Sequence, residues 1–286
     1  MKHFLIYTSQ FKDVDLKTTK EIQKFLQDRG QKVSLIVKTK DWKKTGTADA
    51  EESAIPADVD CMIVLGGDGT VLQAVRESKA LHIPTIGVNL GTLGYMTQVE
   101  VGQLEIVLER LISGDFETED RMMLNGKVTF SDKKEAQEWA LNDIVIARNG
   151  ALQIIQFNIF VNGHFLNDYS ADGVIITTPT GSTGYNLSAG GPIIEPKAEV
   201  IMITPICPHT LNQRSIILSP EDEVEIEIAE GRHGQKQTVE VSFDGAHSIA
   251  LSTGERIRIV KSLDSAKFIK LNQVSFLKVL HQKMSE

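Results

Sequence analysis

The stretch Gly66-Gly67-Asp68-Gly69-Thr70 follows the apolar run Cys61-Met62-Ile63-Val64-Leu65 and decides the first half of the fold. A short apolar run that ends at glycines is typical of a fully buried strand in a parallel sheet. Glycines after such a strand turn tightly and present backbone N–H groups that hold phosphate oxygens. A carboxylate among those groups repels phosphate unless it holds Mg²⁺, accepts a hydroxyl or takes a proton. The stretch therefore indicates chemistry on a phosphate, and not only phosphate binding.

The glycine turn lacks the two common nucleotide-binding signatures. Neither the dinucleotide fingerprint G-x-G-x-x-G nor the Walker pattern G-x-x-x-x-G-K-[ST] is present, which counts against a hydride-transfer Rossmann domain and a P-loop enzyme. An ordinary strand-to-helix turn is the structural alternative, but it does not account for Asp68 at the centre.

Length and composition narrow the class of protein. The 286 residues favour two domains. A net charge of −8 without a basic cluster makes duplex nucleic acid an unexpected partner. No run approaches 18 apolar residues, so no membrane span is expected, and residues 1–8 are too short an apolar run for a signal peptide. Cys61 and Cys207, in separate apolar contexts, are expected to be buried free thiols of a cytoplasmic protein.

The first 118 residues alternate between strand and helix patterns. The expected strands are residues 3–9, 33–37, 61–65 and 85–88, and the expected helices are residues 16–29, 70–79 and 102–113. Residues 38–58 are charged and irregular, which predicts a surface loop. Alternating strands and helices predict an α/β domain with a parallel sheet covered by helices on both faces.

After about residue 118 the hydrophobic period changes from 3.6 to 2. Residues 155–161 alternate and run into Asn162-Gly163, a strong hairpin signal, and residues 224–228, 239–243 and 257–259 repeat the alternation. The second half is therefore predicted to be a β-rich, sandwich-like domain of mostly antiparallel strands. We expect an α/β nucleotide-binding domain over residues 1–118, a β-rich domain over 119–267, and a return of 268–286, with its apolar segment 274–280, to the first domain.

Two adjacent polar side chains, Asn142 and Asp143, interrupt the apolar strand at 139–146. Burying them without partners would cost a few kcal/mol. Asn offers a donor and an acceptor and Asp offers acceptors, which suits the vicinal hydroxyls of a ribose. A turn or bulge between two strands is equally compatible with the pattern.

Residues 172–186 form an apolar strand that leads into a glycine-broken, hydroxyl-rich turn and a short helix. Thr180, Ser182 and Thr183 add donors to a helix N-terminus that can grip a nucleotide, and the Tyr185 ring can lie against a base. A well-capped helix start explains the hydroxyls but not the length of the stretch.

In the later loop 204–214, His209 and Arg214 could bind an anion, but the two prolines favour a rigid corner between strands as the interpretation of this loop.

Other catalytic patterns are absent from the sequence. No His, Cys and Asp grouping has zinc-ligand spacing, and neither a Ser–His–Asp order nor a G-x-S-x-G elbow occurs, so acyl transfer is not supported.

Taken together, these segments resemble the NAD kinase family. The resemblance lies in residues 66–70, 89–94 (Asn-Leu-Gly-Thr-Leu-Gly), 141–143, 172–192 and 205–214. The glycine-Asp turn alone is shared with lipid kinases and phosphofructokinases. Residues 178–183 (Thr-Pro-Thr-Gly-Ser-Thr), followed by Ala-Gly-Gly-Pro at 189–192, are far more specific.

The resemblance implies phosphorylation of the 2′-hydroxyl on the adenosine ribose of NAD, giving NADP, with ATP or polyphosphate as the donor. Mg²⁺ is the implied cofactor, and no metal ligand is assigned. By analogy, Asp68 is the general base or the carboxylate that orients the hydroxyl. The residues implied to hold the donor phosphates are Gly66, Gly67, Gly69 and Thr70.

The resemblance also implies an NAD site, to which Asp68 and Gly69 contribute. Asn142 and Asp143 are implied to bind the ribose hydroxyls, and Asp172 the other end of the dinucleotide. The residues implied at the adenosine end are Thr183, Gly184, Tyr185 and Ser188, with Asn186 and Leu187 between them. Because the family's sites lie near subunit contacts, a homodimer or homotetramer is implied.

Three positions depart from the family's usual pattern. Gln73 stands where a basic residue is common, Gly184 where alanine is common, and Ala246 where glutamine is common, with His247 following. Two alternatives stay open: a lipid or sugar kinase that shares the glycine-Asp turn, and a nucleotide-binding sensor without catalysis. The sensor would be expected to have lost Asp68.

Overall fold

The computed structural model describes residues 1–39, 55–78, 81–150, 154–209, 214–271 and 275–285. Parts of four predicted segments lie outside them: most of the loop at 38–58, the helix end at Lys79, residues 210–213 of the proline-rich loop, and Val274. The chain divides into two compact units, Met1–Asp120 with Ala266–Glu286, and Arg121–Ser265. Within the described ranges, no helix has the length and apolar character needed to cross a membrane.

The first unit is built on a parallel sheet. Its strands are β1 (His3–Ser9), β2 (Lys32–Lys38), β3 (Cys61–Gly66), β4 (Thr85–Asn89) and β5 (Val99–Glu100). They lie in the order β2-β1-β3-β4-β5, and every neighbouring pair is parallel. The helices of this part are α1 (Lys17–Asp28), α2 (Asp68–Ser78) and α3 (Leu104–Ser113).

Apolar periodicity explains how these helices pack. Ile22 and Leu26 of α1 and Leu108 and Leu111 of α3 are buried in one core with the central strands. Asp13, which precedes α1, satisfies the first turn of the helix, because its carboxylate accepts hydrogen bonds from the backbone N–H groups of Thr18 and Thr19 at 3.0 and 2.8 Å. The sheet and helices together place the end of β3, and hence the glycine turn, at the carboxyl edge of the sheet.

The second unit contains two antiparallel sheets. The strands of the first are β6 (Glu117–Thr129), β7 (Glu135–Ala140), β9 (Ile155–Val161), β10 (His164–Ala171), β14 (Val224–Ile228) and β17 (Arg256–Lys270). The start of β6, before Arg121, and the end of β17, after Ser265, belong to the first unit, where Phe268 of β17 pairs parallel with Thr85 of β4. The strands of the second are β8 (Asp143–Arg148), β11 (Gly173–Thr177), β12 (Ile201–Ile206), β13 (Ile216–Leu218), β15 (Thr238–Phe243) and β16 (His247–Ser252). The second sheet has the order β13-β12-β11-β8-β15-β16, so β8 and β11 lie at its centre. A four-residue helix, α4 (Tyr185–Ser188), follows β11.

Inward-facing residues of both sheets form one core, which includes Phe157, Ile226, Ile144 and Ile176. The predicted hairpin is confirmed: β9 and β10 pair antiparallel across Asn162-Gly163, whose φ angles of 51° and 76° fit a two-residue turn. The last helix, α5 (Phe276–Ser285), belongs to the first unit, with Val279 fully buried. The predicted fold class, an α/β domain followed by a β-rich domain, is confirmed.

Two local expectations differ from the structure. Helix α2 begins at Asp68 rather than at Thr70, because an acidic residue is favourable in a first turn and the N–H of Thr70 already bonds to the carbonyl of Gly67 at 2.8 Å. The prediction of two buried thiols is right for Cys61 and wrong for Cys207, which is exposed. Cys207 follows the last residue of β12 with a φ of 45°, so the chain turns there and the side chain leaves the core.

Candidate active site

The glycine turn is short, since β3 ends at Gly66 and α2 begins two residues later. A Cβ on Gly66 would lie 2.7 Å from the Cβ of Thr70, so packing within the turn requires glycine there. Gly67 and Gly69 have open space where a Cβ would stand, and Gly69 is exposed. Packing therefore does not explain these two glycines, whereas close approach of a ligand to the backbone does.

The carboxylate of Asp68 is held by the chain that follows β4. Its Oδ1 accepts hydrogen bonds from the N–H of Met96 at 2.9 Å, the N–H of Thr97 at 3.2 Å and the Thr97 hydroxyl at 3.2 Å. Its Oδ2 accepts one, from the N–H of Tyr95 at 2.8 Å. Hydrogen bonds to the charged form offset the repulsion that a carboxylate would otherwise feel next to phosphate. Asp68 is thus fixed in direction while remaining partly exposed.

The two oxygens of Asp68 differ in what they can still accept. Each carboxylate oxygen has two lone pairs, and Oδ2 uses only one of them among the described residues. On the Oδ1 side there is no spare room, because a Cβ on Gly94 would lie 2.6 Å from the Asp68 Cγ. Oδ2 is therefore the oxygen that is available to a further hydroxyl. Burial and the charge of Asp68 raise the pKa of the neighbouring Tyr95 phenol.

The residues of this turn fit a magnesium ion that arrives with a nucleotide. No three His, Cys, Asp or Glu side chains converge as potential metal ligands within the described ranges. Mg²⁺ usually keeps several waters and binds through one or two carboxylates together with substrate phosphates, so it does not need a complete protein cage. Asp68 offers one such carboxylate between Gly67 and Gly69, where an added Cβ would meet no atom within 4 Å.

In the second unit, Asn142 and Asp143 lie at the start of β8 and are clamped by Asp244. The Asp244 carboxylate accepts the backbone N–H groups of Leu141, Asn142 and Asp143 at 2.8, 2.8 and 3.1 Å. In return, the N–H of Asp244 donates to the carbonyl of Asp143 at 3.0 Å. This clamp holds a bend at Leu141 and Asn142 that leads into β8 at Asp143, and it engages the backbone of these residues and not their side chains.

Both side chains lack polar partners in the described part of the chain. The Oδ1 of Asn142 is a buried acceptor without a hydrogen bond. The carboxyl of Asp143 is only 7% exposed and makes no side-chain hydrogen bond to the described residues. Burial, assisted by the charge of Asp244, raises the pKa of Asp143 to about 7. Unpaired buried polar atoms are costly, so these two side chains are suited to a ligand that supplies hydroxyl donors.

The hydroxyl-rich turn after β11 packs directly on this pair. The Oγ1 of Thr177 and the N–H of Thr178 both donate to the carbonyl of Asn142 at 2.9 Å, and the Oγ1 of Thr178 donates to the carbonyl of Leu141 at 2.6 Å. Gly181 lies so close that a Cβ would stand 2.6 Å from the Asn142 carbonyl carbon. The sequence stretches at 142–143 and 177–181 therefore form one site.

Residues 182–188 divide into buried and exposed positions. Asn186 is fully buried, donating to the carbonyls of Ser182 and Pro192 at 3.2 and 3.0 Å and accepting from the Thr204 hydroxyl at 2.7 Å. Its carboxamide thus holds the loop together. The positions that reach the surface, wholly or in part, are Thr183, Gly184, Tyr185, Leu187 and Ser188. Gly184 lies next to the pair at 142–143, since a Cβ there would be 3.9 Å from the Asn142 Nδ2.

Asp172 is not brought together with this site. It precedes β11, while Thr177 at the other end of that strand pairs with Asp143. The strand between them spans about 15 Å. The carboxylate of Asp172 lies 3.4 Å from the guanidinium of Arg148, so it has a partner of its own.

The remaining polar positions lie at the surface. His209 is exposed and its N–H donates to the carbonyl of Ser170 at 2.8 Å, while Arg214 is exposed. His247 is exposed, with Nδ1 3.9 Å from a carboxylate oxygen of Glu138. Gln73 donates to Glu77 at 2.7 Å, and Glu77 also pairs with Lys38 at 2.8 Å.

Sequence reasoning missed the residues that hold the others in place. It names Ala246 and His247 in this loop but not Asp244, although an Asp-Gly pair between two alternating strands is a signal for a turn that can bond to a neighbouring backbone. Tyr95 and Thr97 lie just beyond the glycine-rich segment at 89–94 and carry no signal of their own.

Comparison with known proteins gives consistent matches. The model of the ATP-NAD kinase N-terminal domain matches residues 5–116, and that of the ATP-NAD kinase C-terminal domain matches residues 141–271. The chain is 46% identical over 294 residues to an NAD kinase of Lachnospira eligens, covering 99% of this chain and 100% of the relative. It is 43% identical over 284 residues to an NAD kinase of Agathobacter rectalis, covering 99% of both chains.

Two solved structures share the fold. One is a yeast NADH kinase complexed with NADH, with a TM-score of 0.86 at 23% identity. The alignment covers 100% of this chain and 88% of the yeast chain. The other is an NAD kinase from Archaeoglobus fulgidus in complex with ATP, with a TM-score of 0.77 at 25% identity. The alignment covers 100% of this chain and 99% of the Archaeoglobus chain.

Proposed function

Because this chain belongs to the NAD kinase family, we propose that it transfers a phosphoryl group from ATP to the 2′-hydroxyl on the adenosine ribose of NAD, giving NADP. The observation that carries the chemistry is the carboxylate of Asp68, which is fixed by four hydrogen bonds beside a glycine turn and keeps an acceptor position on Oδ2. Phosphoryl transfer needs positioning and charge stabilisation more than covalent help from the protein.

Asp68 orients the acceptor hydroxyl and takes its proton. The ribose hydroxyl donates to Oδ2. As the new O–P bond forms, the bond between the γ-phosphorus of ATP and the β–γ bridging oxygen breaks, ADP leaves, and the hydroxyl proton moves to Oδ2. Because backbone N–H groups hold the carboxylate, it does not swing towards the incoming phosphate.

The glycine turn and the first turn of α2 hold the donor. The donor phosphates lie against Gly66, Gly67, Gly69 and Thr70, where the backbone is open at Gly67 and Gly69 and the helix N-terminus favours negative charge. The N–H of Thr70 is bonded to the carbonyl of Gly67, so Thr70 contributes through its hydroxyl. Mg²⁺ bound with the nucleotide neutralises part of the phosphate charge. Inorganic polyphosphate presents the same chemistry and is the alternative donor.

NAD binds through the site in the second unit. Asn142 and Asp143 receive the ribose hydroxyls, since their side chains lack protein partners among the described residues. The adenosine end lies along the exposed positions at 183–185, 187 and 188, and Asn186 acts by holding that loop. Asp172, at the far end of β11, binds the other end of the dinucleotide. The protein assembles as a homodimer or homotetramer, in which Asp172 contacts a dinucleotide bound by a second copy of the chain. We place the enzyme in the cytoplasm.

The alternatives account for fewer observations. A lipid or sugar kinase would share the glycine-Asp turn, but the match to this family extends over both domains. A sensor without catalysis would not need Asp68 held with an open acceptor position.

The direct test is formation of NADP from NAD, ATP and Mg²⁺ by the purified chain. Polyphosphate in place of ATP, and NADH in place of NAD, define the donor and the acceptor. Absence of NADP and NADPH with every donor would overturn the proposal.

A further inference from the structure

Tyr95 connects the candidate catalytic carboxylate to the C-terminal helix. Its backbone N–H donates to the Oδ2 of Asp68 at 2.8 Å. Its ring lies 5.9 Å from the ring of Phe276, centroid to centroid, and the Lys283 ammonium lies 5.3 Å from its centroid. Both distances are within the range of favourable aromatic and cation–π contacts.

The two contacting residues belong to one face of α5. Phe276, Val279 and Lys283 are spaced at i, i+3 and i+7, which places them on the same side of a helix. Val279 is fully buried, so this face is the one anchored to the unit. Leu277 and Met284 lie off this face and are 70% and 75% exposed.

The chain around Tyr95 has little freedom to absorb a shift of the ring. Gly94 cannot carry a Cβ because the Asp68 carboxylate occupies that space. On the other side, Met96 and Thr97 are tied to Oδ1 of the same carboxylate and are both buried. The contacts of the Tyr95 ring with α5 therefore add a restraint, at the side chain, to the segment whose N–H groups fix the Asp68 carboxylate.

We propose that Phe276 and Lys283 are positioning residues for phosphoryl transfer, which hold the ring of Tyr95 and thereby fix the direction of the Asp68 carboxylate. The proposal rests on the proposed kinase function. Neither residue touches the reacting atoms, and their effect reaches the reaction through Tyr95. Because Oδ2 is the oxygen that receives the acceptor hydroxyl, its direction controls how well hydroxyl and phosphate are aligned. Small errors of alignment reduce rates strongly.

The test compares Phe276→Ala and Lys283→Gln with the matched control Leu277→Ala on an exposed face of α5. We expect kcat to fall about 10- to 100-fold in Phe276→Ala and by a smaller factor in Lys283→Gln. The KM values for NAD and ATP should stay within about twofold, since the positions proposed to bind them are unchanged. Phe276→Tyr and Lys283→Arg, which keep a ring and a cation, should restore most of kcat. Leu277→Ala should resemble the wild type.

A double-mutant cycle separates positioning from general destabilisation. If Phe276 acts through Asp68, Phe276→Ala should reduce the residual activity of Asp68→Asn far less than it reduces that of the wild type. Equal losses in both backgrounds would overturn the proposal, as would an unchanged kcat in folded Phe276→Ala. If that variant does not fold, Phe276→Leu and Lys283→Gln provide the same comparison. Lack of NADP formation by the wild type would refute the kinase function itself, whereas an active wild type with insensitive variants refutes only the positioning role.

Discussion

Asp244 accepts a hydrogen bond from the backbone N–H of Asn142 at 2.8 Å and thereby fixes the turn that carries Asp143. In the other unit, Asp68 collects the backbone N–H groups of residues 95–97 in the same manner. Each candidate site is thus organised by one aspartate that precedes a glycine and accepts three successive backbone N–H groups. The two aspartates differ in role. Asp68 keeps one acceptor position on Oδ2, whereas Asp244 bonds to the backbone at Asn142 and Asp143 and leaves the side chains of these two residues without hydrogen bonds to the described residues.

Replacing Asp244 with alanine should damage NAD binding. Three backbone N–H groups lose their acceptor, and each buried unsatisfied donor costs about 1–3 kcal/mol. We expect Asp244→Ala to raise the KM for NAD at least tenfold and to lower the free energy of unfolding, with a smaller change in the KM for ATP. Steady-state kinetics and denaturant unfolding measure both, with exposed His247→Ala as the control. An unchanged KM for NAD in a folded variant would contradict the clamp.

NAD binding should depend on pH through Asp143. The pKa of this carboxyl is raised to about 7 by burial, so below that pH it carries a proton in the free enzyme. Ribose hydroxyls donate to the charged form, and binding then requires release of the proton. The Kd for NAD should rise towards tenfold per pH unit below pH 7 and level off above it. Calorimetric titrations between pH 5.5 and 8.5 test this; affinity that is flat or improves in acid argues against a charged Asp143.

The same carboxyl should make the free protein less stable as pH rises. Between the unfolded value of 3.8 and the folded value of about 7, the folded state binds a proton that the unfolded state does not. Stability therefore decreases across that window and is constant above it. Asparagine does not titrate, so the stability of Asp143→Asn relative to the wild type should increase by roughly 1–3 kcal/mol between pH 5 and pH 8. Denaturant unfolding at both pH values measures this, and a pH-independent difference would refute the assignment.

Gly94 should be intolerant of alanine because of Asp68. An added Cβ would lie 2.6 Å from the Asp68 Cγ and would displace the carboxylate. We expect Gly94→Ala to lower kcat at least tenfold with a modest effect on melting temperature. Gly102→Ala is the matched control, because its Cβ would meet no atom within 4 Å. Equal activity of the two variants would show that the direction of Asp68 is unimportant.

The sequence predicted elements and site segments wherever the signal is local. Strand β3 and its glycines form a run with clear boundaries, and the Asn162-Gly163 turn requires its own backbone geometry. The predicted start of α2 at Thr70 is two residues too late, because the sequence does not show that Asp68 both begins the helix and lies in the candidate site. The apolar neighbours of Cys207 predict burial, but the orientation of its side chain depends on a turn that the pattern does not reveal.

Contacts between distant segments could not be read from the sequence. Asp244 meets Asn142 across 102 positions of the chain, and Tyr95 meets Asp68 across 27. Such pairs depend on strand order, here on β15 lying beside β8, and no periodicity encodes that order. Asn186 is a second case in which long-range contacts decide the environment of a residue. Its position in the motif predicts a ligand contact, whereas in the structure its carboxamide is buried and accepts a hydrogen bond from the Thr204 hydroxyl.

The central claim is that the Asp68 carboxylate activates the acceptor hydroxyl, and Asp68→Asn tests it most directly. Asparagine preserves the shape, and its single oxygen can still accept the N–H groups of Met96 and Thr97, although its NH2 group cannot accept the N–H of Tyr95. It also cannot take a proton at neutral pH. In an assay with NAD, ATP and Mg²⁺, we predict that kcat falls by at least about 100-fold while the Kd for NAD stays within about threefold. NADP formation by Asp68→Asn at a rate near that of the wild type would contradict the account.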